Sequence, residues 1–144
     1  MLEVGNGGMT TDEYRTHMAL WALLAAPLLA GNDLGNMSPA TLSILTNRDV
    51  IAVDQDKLGK QGERVWASKA DEIWMKPLQG GAVAVGLFNR SGESGSITLR
   101  FADLGLHRPV QTRDLWMARD LGKLHGSYTV TVPQHGVVML KLEP

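Results

Sequence analysis

The strongest feature of the hydrophobic pattern is an unbroken apolar run near the start of the chain. Residues 18–30, MALWALLAAPLLA, contain no polar side chain, and the first charge after them is Asp33. The run is shorter than the roughly 20 residues that a membrane-spanning helix needs. It is also apolar on every side, unlike a surface helix with one apolar stripe. Because the residue before a proline avoids helical geometry, Pro27 divides the run into a helix ending near Ala25 and a short strand, Pro27 to Ala30.

The predicted strand carries only apolar residues, so we expect both of its faces to be buried. Strands of this kind belong to parallel sheets whose faces are covered by helices. The sequence provides no obvious parallel partner for this strand. We therefore interpret residues 1–61 as the tail end of a larger α/β domain.

Helix-start signals precede two segments of the chain. Threonine and aspartate at residues 10–12 can cap the helix that contains the apolar run. The Ser-Pro pair at residues 38–39 is a strong start, because serine caps free N–H groups and proline is favoured in the first turn. The helix that follows carries Leu42 and Leu45 on one face and is expected to pause near Asn47. A further turn over residues 48–54 is expected to bury three apolar side chains, namely Val50, Ile51 and Val53.

Beyond residue 58 the period of the pattern falls from about 3.6 to about 2, which is typical of strands. In residues 96–101, Ile97, Leu99 and Phe101 alternate with polar residues, as expected for one buried and one solvated face. Short runs of this kind, separated by glycine-bearing turns, predict an antiparallel sandwich or barrel, and we assign residues 62–144 to an all-β antiparallel sandwich domain. The predicted strands are residues 64–67, 72–77, 82–89, 96–101, 110–116, 128–132 and 137–142.

Charge and composition exclude several classes of partner. The formal net charge is −1 and there is no basic run, so no nucleic-acid partner and no membrane partner is expected. The absence of cysteine excludes a disulfide framework and thiolate metal sites. Residues 1–8 lack the features of a signal peptide, so the product is expected in the cytoplasm if Met1 is the true start. A full-length precursor would leave secretion or a periplasmic location open.

Candidate chemical residues are few, and most have an ordinary structural explanation. His17 stands alone, which favours a packed histidine over a metal ligand, and we predict neither a metal nor a cofactor. Asn32 and Asp33 follow the predicted strand, where barrel and doubly wound folds place their chemistry, but we favour an Asx-type turn that leads into the next helix. Asp54 and Asp56 are two residues apart and do not face one another on a helix, so solvated or capping roles are expected.

Three tryptophans lie on predicted strands and raise the question of sugar binding. Trp66 and Trp74 can share one sheet face across the turn at residues 68–71 if the strand pairing is regular, and Trp116 lies on a later predicted strand. Cross-strand aromatic pairs commonly serve packing, which we favour over a carbohydrate platform. Two glycosylation triplets begin at Asn36 and Asn89, but without a secretory signal they carry little weight.

The order of the segments resembles one enzyme family. MLEVGNGGMT, then YRTHMALWALLAAPLLAGNDL, then SPATLSILTNRDVIAVDQDKLGKQG resembles the α-galactosidases of glycoside hydrolase family 27, the melibiases. The resemblance is dense over residues 1–62 and continues more loosely through EIWMKPLQGGAVAVGLFNR to the end of the chain. It implies an N-terminal (β/α)8 barrel, of which this chain contains only the last segments, followed by the antiparallel β-sandwich.

The resemblance also implies a mechanism and a site. Family members are retaining glycosidases, in which one aspartate attacks the sugar and a second donates and retrieves a proton. Both family aspartates lie upstream of the residues present here, so no catalytic residue is assigned, and neither role passes to Asp33, Asp54 or Asp56. A family segment Asp-Pro-Asp-Met-Leu touches galactose, and residues 1–2 match its last two positions. Met1 is therefore the only substrate-binding residue we carry over, as a wall of the sugar pocket.

These expectations give one leading function and two alternatives. The leading one is the C-terminal portion of an α-galactosidase, acting on α-galactosides in the full-length enzyme and inactive alone. The alternatives are a carbohydrate-binding module and a purely structural β-sandwich that braces a barrel. Because exposed apolar patches promote association, we also expect the isolated chain to self-associate through its exposed barrel surface.

Overall fold

The computed structural model describes residues 1–144 and contains three α-helices in the first part of the chain. They are α1 (Thr11–Leu23), α2 (Pro39–Leu45) and α3 (Arg48–Asp54). Thr10 caps α1 in a capping box with Glu13, and the predicted serine-proline start of α2 is confirmed. Asn47 caps α3, so the predicted pause at this residue is the boundary between two helices. None of the three is long and apolar enough to cross a membrane.

Eight strands follow, and all seven of the predicted ones are present. The strand missed by the pattern, Arg119–Leu124, contains three charged residues and a glycine, Gly122, with a φ of 80°. It pairs with its neighbour through a register shift, which removes the simple alternation on which the prediction relied. The strands are β1 (Glu63–Ala67), β2 (Asp71–Pro77), β3 (Val83–Asn89), β4 (Gly95–Arg100), β5 (Val110–Asp114), β6 (Arg119–Leu124), β7 (Ser127–Val132) and β8 (Val137–Glu143).

The strands form two antiparallel sheets. Six of them make one sheet in the order β1-β2-β3-β8-β5-β6, and β4 pairs with β7 in the second. One face of β3 places Val83, Val85 and Leu87 in a core shared with the two-stranded sheet. Its other face places Ala84 and Phe88 in a second core, which is shared with the helices. The middle of the large sheet is therefore buried on both faces, by different layers.

The segment 27–30 differs from its prediction. Helix α1 ends at Leu23, and Ala25 takes a φ of 52°, which turns the chain before Pro27. The segment makes one isolated parallel bridge, between Leu2 and Ala30, and Leu29 is 60% exposed. The prediction of a strand buried on both faces is wrong for this chain, because no element in it covers the outer side of Leu29. The prediction also missed Leu2 as a parallel partner.

Candidate functional site

Two chain segments run side by side at the place where the sequence predicted chemistry. The Leu2 N–H donates to the Leu29 carbonyl at 2.8 Å, and Leu2 pairs in parallel with Ala30. Gly31 permits this approach, since a Cβ there would lie 2.6 Å from the Leu2 carbonyl oxygen and 2.9 Å from the Met1 sulfur. Any larger residue at Gly31 would push the two segments apart.

An apolar groove opens beside this parallel pair. Its volume is about 370 Å³, and it is bounded by the pair, α1, α2 and α3. Two leucines at its mouth, Leu34 and Leu42, are 63% and 47% exposed. The remaining lining side chains are Leu2, Met18, Leu28, Ala30, Met37, Leu45, Thr46, Ile51 and Gln55, of which only Thr46 and Gln55 are polar. We call this surface the apolar groove.

Met1, the residue predicted to line a sugar pocket, lies at the start of this parallel pair. Its side chain passes beside Gly31 and the residue is 73% exposed. The side chain is therefore accessible to a ligand above the carboxyl end of the segment 27–30. Its role as a pocket wall stays a prediction.

The two polar residues after the segment have different environments. The Asp33 carboxylate accepts from the Gly35 N–H at 3.0 Å, which confirms the Asx-type turn at this residue. The carbonyl oxygen of the Asn32 side chain is buried and has no hydrogen-bond partner. A buried acceptor without a partner costs free energy. Asn32 is thus the polar group of this region that the local structure leaves unsatisfied.

His17 is a packed histidine, as predicted. Its Nε2 accepts from the Glu3 N–H at 3.1 Å, and its ring centroid lies 4.1 Å from that of Trp21. Burial lowers the pKa of the imidazole, against the opposing effect of the Glu3 carboxylate. Because only a neutral ring can accept at Nε2, the lowered pKa and the hydrogen bond are consistent. The ring thereby holds the segment that carries Met1.

The aspartate pair after α3 has separated roles. Asp56 caps two backbone N–H groups, those of Leu58 and Gln79, at 3.0 and 2.9 Å, as expected. Asp54 is only 8% exposed, so the expectation that it is solvated is wrong. Burial raises the pKa of its carboxyl, although Gln55 donates to it and the Lys76 ammonium is nearby.

Lys76 is the buried charge that the sequence analysis missed. The residue is 0% exposed, and its Nζ donates to the carbonyls of Ala22, Val53 and Asp54. Burial lowers the pKa of the ammonium, and the carboxylates of Asp54 and Asp56 oppose this shift. Because side chains alternate along a strand, Lys76 lies on the same face as Trp74, which packs against the helices. This alternation was the one signal in the sequence that could have predicted the burial of Lys76.

The tryptophans occupy different environments. The β1–β2 register shifts between Arg64 and Trp66, so that Trp66 opposes Ile73 while Trp74 opposes Arg64. Ile73 and Trp74 are neighbours on β2 and point to opposite faces. The prediction that Trp66 and Trp74 share a face is therefore wrong, because the β-bulge changes the register.

Packing accounts for two of the three tryptophans, although Trp116 lies in the turn after β5, which ends at Asp114, and the prediction that it lies on a strand is wrong. Trp74 and Trp116 are partly buried against the core that the helices share with the sheet. Trp66 is 43% exposed on the edge strand. Of the two glycosylation triplets, the one at Asn89 is structural, since this side chain is 2% exposed and donates to the carbonyls of Glu93 and Val132.

No group of three or more histidine, aspartate and glutamate side chains is gathered at metal-binding distance. Asp33, Asp54 and Asp56 each have a separate structural contact. Within this chain the groove is thus a concave apolar surface, and the Asn32 amide oxygen, which has no hydrogen-bond partner, lies nearby.

Comparison with protein families matches both parts of the chain. The family described as alpha galactosidase A matches residues 1–56, and the alpha galactosidase C-terminal beta sandwich domain matches residues 68–142. An α-galactosidase of Coffea arabica is 47% identical over the whole chain, which covers 39% of that protein. One of Cyamopsis tetragonoloba is 44% identical, and the chain covers 36% of it. The chain thus spans well under half the length of these relatives.

Solved structures show the same fold. α-Galactosidase I of Mortierella vinacea superposes with a TM-score of 0.95 at 37% identity, over 99% of this chain and 38% of that one. A family 27 β-L-arabinopyranosidase of Geobacillus stearothermophilus superposes with a TM-score of 0.89 at 31% identity. The superposition covers 95% of this chain and 31% of that one. The predicted fold class is confirmed: the last segments of a (β/α)8 barrel are followed by an antiparallel β-sandwich.

Proposed function

Because the chain belongs to the α-galactosidase family, we propose that it is the C-terminal portion of a retaining enzyme that hydrolyses terminal α-galactosyl residues. The observation that carries the proposal is the parallel pairing of Leu2 with Ala30 beside an open apolar groove. Two parallel segments of a barrel need further strands on either side and helices outside them. We propose that the preceding β/α units of the enzyme occupy these positions and cover the groove.

We further propose that the boundary between the two parts lies after residue 61, with the barrel end at residues 1–61 and the sandwich at 62–144. Support comes from Gly62, whose N–H donates to the Leu23 carbonyl at 2.7 Å immediately before β1 begins. The two family matches end and begin on either side of this point. The helices and the large sheet share one core, which also supports a bracing role for the sandwich.

In this proposal the carboxylates that perform the chemistry come from the preceding units, and Met1 forms a wall of the sugar pocket. Two suitably placed carboxylates are the minimum for retaining hydrolysis. The aspartates near the groove are occupied in turns, caps and buried contacts. The 144 residues alone are therefore expected to be inactive.

The test is a comparison between the isolated chain and a fusion. The fusion joins this chain to the part of the Coffea arabica enzyme that precedes the matched stretch. We expect no nitrophenol release from p-nitrophenyl α-galactoside by the isolated chain and steady release by the fusion. The same assay with p-nitrophenyl β-L-arabinopyranoside separates the two activities known among the structural relatives.

Two results would contradict this proposal. Turnover by the isolated chain would overturn its inactivity. A fusion that folds, as judged by circular dichroism, yet releases no nitrophenol from the α-galactoside would overturn the assigned activity. The second candidate function, sugar binding by the sandwich, is favoured by the exposure of Trp66.

Self-association of the isolated chain follows from the same groove. Leu34 and Leu42 are exposed at its mouth and Leu29 is exposed beside it, so a second copy can bury this surface. We expect light scattering to give a mass above that of one chain, and Leu34→Lys to shift it toward the monomer. Met117→Lys is the matched control, because Met117 is equally exposed in the β5–β6 turn. A monodisperse wild-type monomer would refute the self-association.

A further inference from the structure

A second concave site lies on the sandwich, between the edge of the large sheet and the two-stranded sheet. It is a cleft of about 350 Å³ that receives residues from β1, β2, β4 and the turn after β4. Its floor is apolar: Ile73 and Ile97 are 4% and 3% exposed. Both isoleucines belong to the inter-sheet core, whereas the apolar groove is backed by the core that the helices share. We call this second site the Trp66 cleft.

Trp66 forms one wall of the cleft and is held there by the fold. It lies on the edge strand β1, whose five residues are all exposed, and the β-bulge after Arg64 sets it opposite Ile73. Trp66 as a whole is 43% exposed. An aromatic ring that is exposed beside a concave polar site is available to stack on a ligand.

Three charged side chains border the cleft without any partner in the protein. Asp71, Arg100 and Asp103 line it, and the structure gives none of their charged groups a hydrogen bond or an ion pair. Their neighbour Glu72 shows the contrast, since it pairs with both Arg64 and Arg90. Two carboxylates and a guanidinium are thus available to a ligand, as strong acceptors and donors.

The aromatic ring, the apolar floor and the three charged groups together indicate which class of ligand fits the cleft. Two carboxylates against one guanidinium disfavour an anion. A neutral polyhydroxyl compound can use both kinds of group, because each hydroxyl donates to a carboxylate and accepts from a guanidinium. The C–H face of a pyranose ring matches the negative face of the indole and the apolar floor.

We propose that the Trp66 cleft is an accessory binding site for a neutral pyranose unit of an oligosaccharide or polysaccharide. Trp66 stacks on the ring, Asp71 and Asp103 accept from its hydroxyls, and Arg100 donates to them. The site lies outside the groove at which the barrel units dock. It would therefore hold a neutral oligosaccharide or polysaccharide on the sandwich, whether or not the proposed hydrolase activity is correct.

The test is affinity electrophoresis of the 144-residue chain in native gels that contain galactomannan, with a polysaccharide-free gel as reference. We expect retardation of the wild-type chain, and a loss of affinity of about tenfold or more in Trp66→Ala. Arg100→Gln should also weaken the retardation. The matched control is Val65→Ala, because Val65 is an exposed apolar residue of the same strand that does not line the cleft.

Each outcome of this experiment decides the proposal. Retardation that depends on Trp66 and Arg100 but not on Val65 supports it. An unretarded wild-type chain overturns it, and so does a Trp66→Ala variant that is retarded as strongly as the wild type. Urea unfolding of each variant separates loss of binding from loss of folding. An absence of binding in this experiment does not affect the fusion experiment, since that assay measures hydrolysis at the barrel active site.

Discussion

Lys76→Ala is expected to reduce the free energy of unfolding by about 4 kcal/mol. The side chain is 0% exposed and its ammonium reaches the last turns of both α1 and α3. Neither last turn contains a basic residue, so Lys76 is the cation that meets their carbonyls. The alanine variant leaves a cavity where the aliphatic stem lay, and it leaves the carbonyls and Asp54 without the charge.

Lys76→Met separates the packing of the stem from the effect of the charge. Methionine fills a similar volume without the ammonium, so we expect about half of the alanine effect. Urea unfolding followed by circular dichroism measures both variants. Lys69→Ala is the control, because Lys69 is exposed in the β1–β2 turn. A Lys76→Met variant as stable as the wild type would show that the ammonium contributes nothing.

Gly86→Val is expected to cost about 3 kcal/mol, although valine is a better strand former than glycine. Gly86 lies in the middle of β3, facing α1. A Cβ at this position would lie 2.5 Å from Phe88 Cε2 and 2.7 Å from Leu23 Cδ1. The helix sits close to the sheet because this side chain is absent, and valine would push the two layers apart.

Two further variants test this explanation. Gly95→Val places the same substitution on β4, where no heavy atom lies within 4 Å of the new Cβ, so it should have little effect. Leu23→Ala combined with Gly86→Val should cost less than the sum of the two single losses, since each substitution relieves part of the effect of the other. Equal thermal midpoints for Gly86→Val and wild type would show that the helix does not need this close approach.

Both predictions concern the packing interface between the helices and the large sheet. Lys76, on the sheet, donates hydrogen bonds to carbonyls at the helix ends. Gly86 allows helix α1 to approach the sheet closely. The apolar core of this interface contains residues from both the barrel end and the sandwich. A barrel end held in this way presents Leu2, Ala30 and the apolar groove in a fixed orientation, which the proposed docking of further β/α units requires.

Some parts of the structure follow from local sequence, and these were predicted well. The Ser-Pro start of α2, the Asn47 boundary and the alternation in residues 96–101 depend on groups a few residues apart. Strand β6 was missed since the bulge opposite Thr112 and the glycine at Gly122 remove its alternation. The resemblance over residues 1–62 supplied the family, which the comparisons then showed.

Features of the candidate sites depended on distant contacts. The face occupied by Trp66 follows from a bulge in its pairing with β2, and the burial of Lys76 follows from two helix ends that pack on the sheet. The pairing of Leu2 with Ala30 joins residues that no local rule connects. The predicted burial of the segment 27–30 was wrong because it assumed neighbours outside this chain.

By itself the sequence determined the kind of elements, the order in which they occur and the family to which they belong. Periodicity, caps and turns act over a few residues, so they can be read along the chain. Only the tertiary structure decided which charges are buried, which tryptophan stays exposed and where an apolar surface stays open. The physical reason is that burial and register are set by the layer packed opposite a residue, which comes from a distant part of the chain.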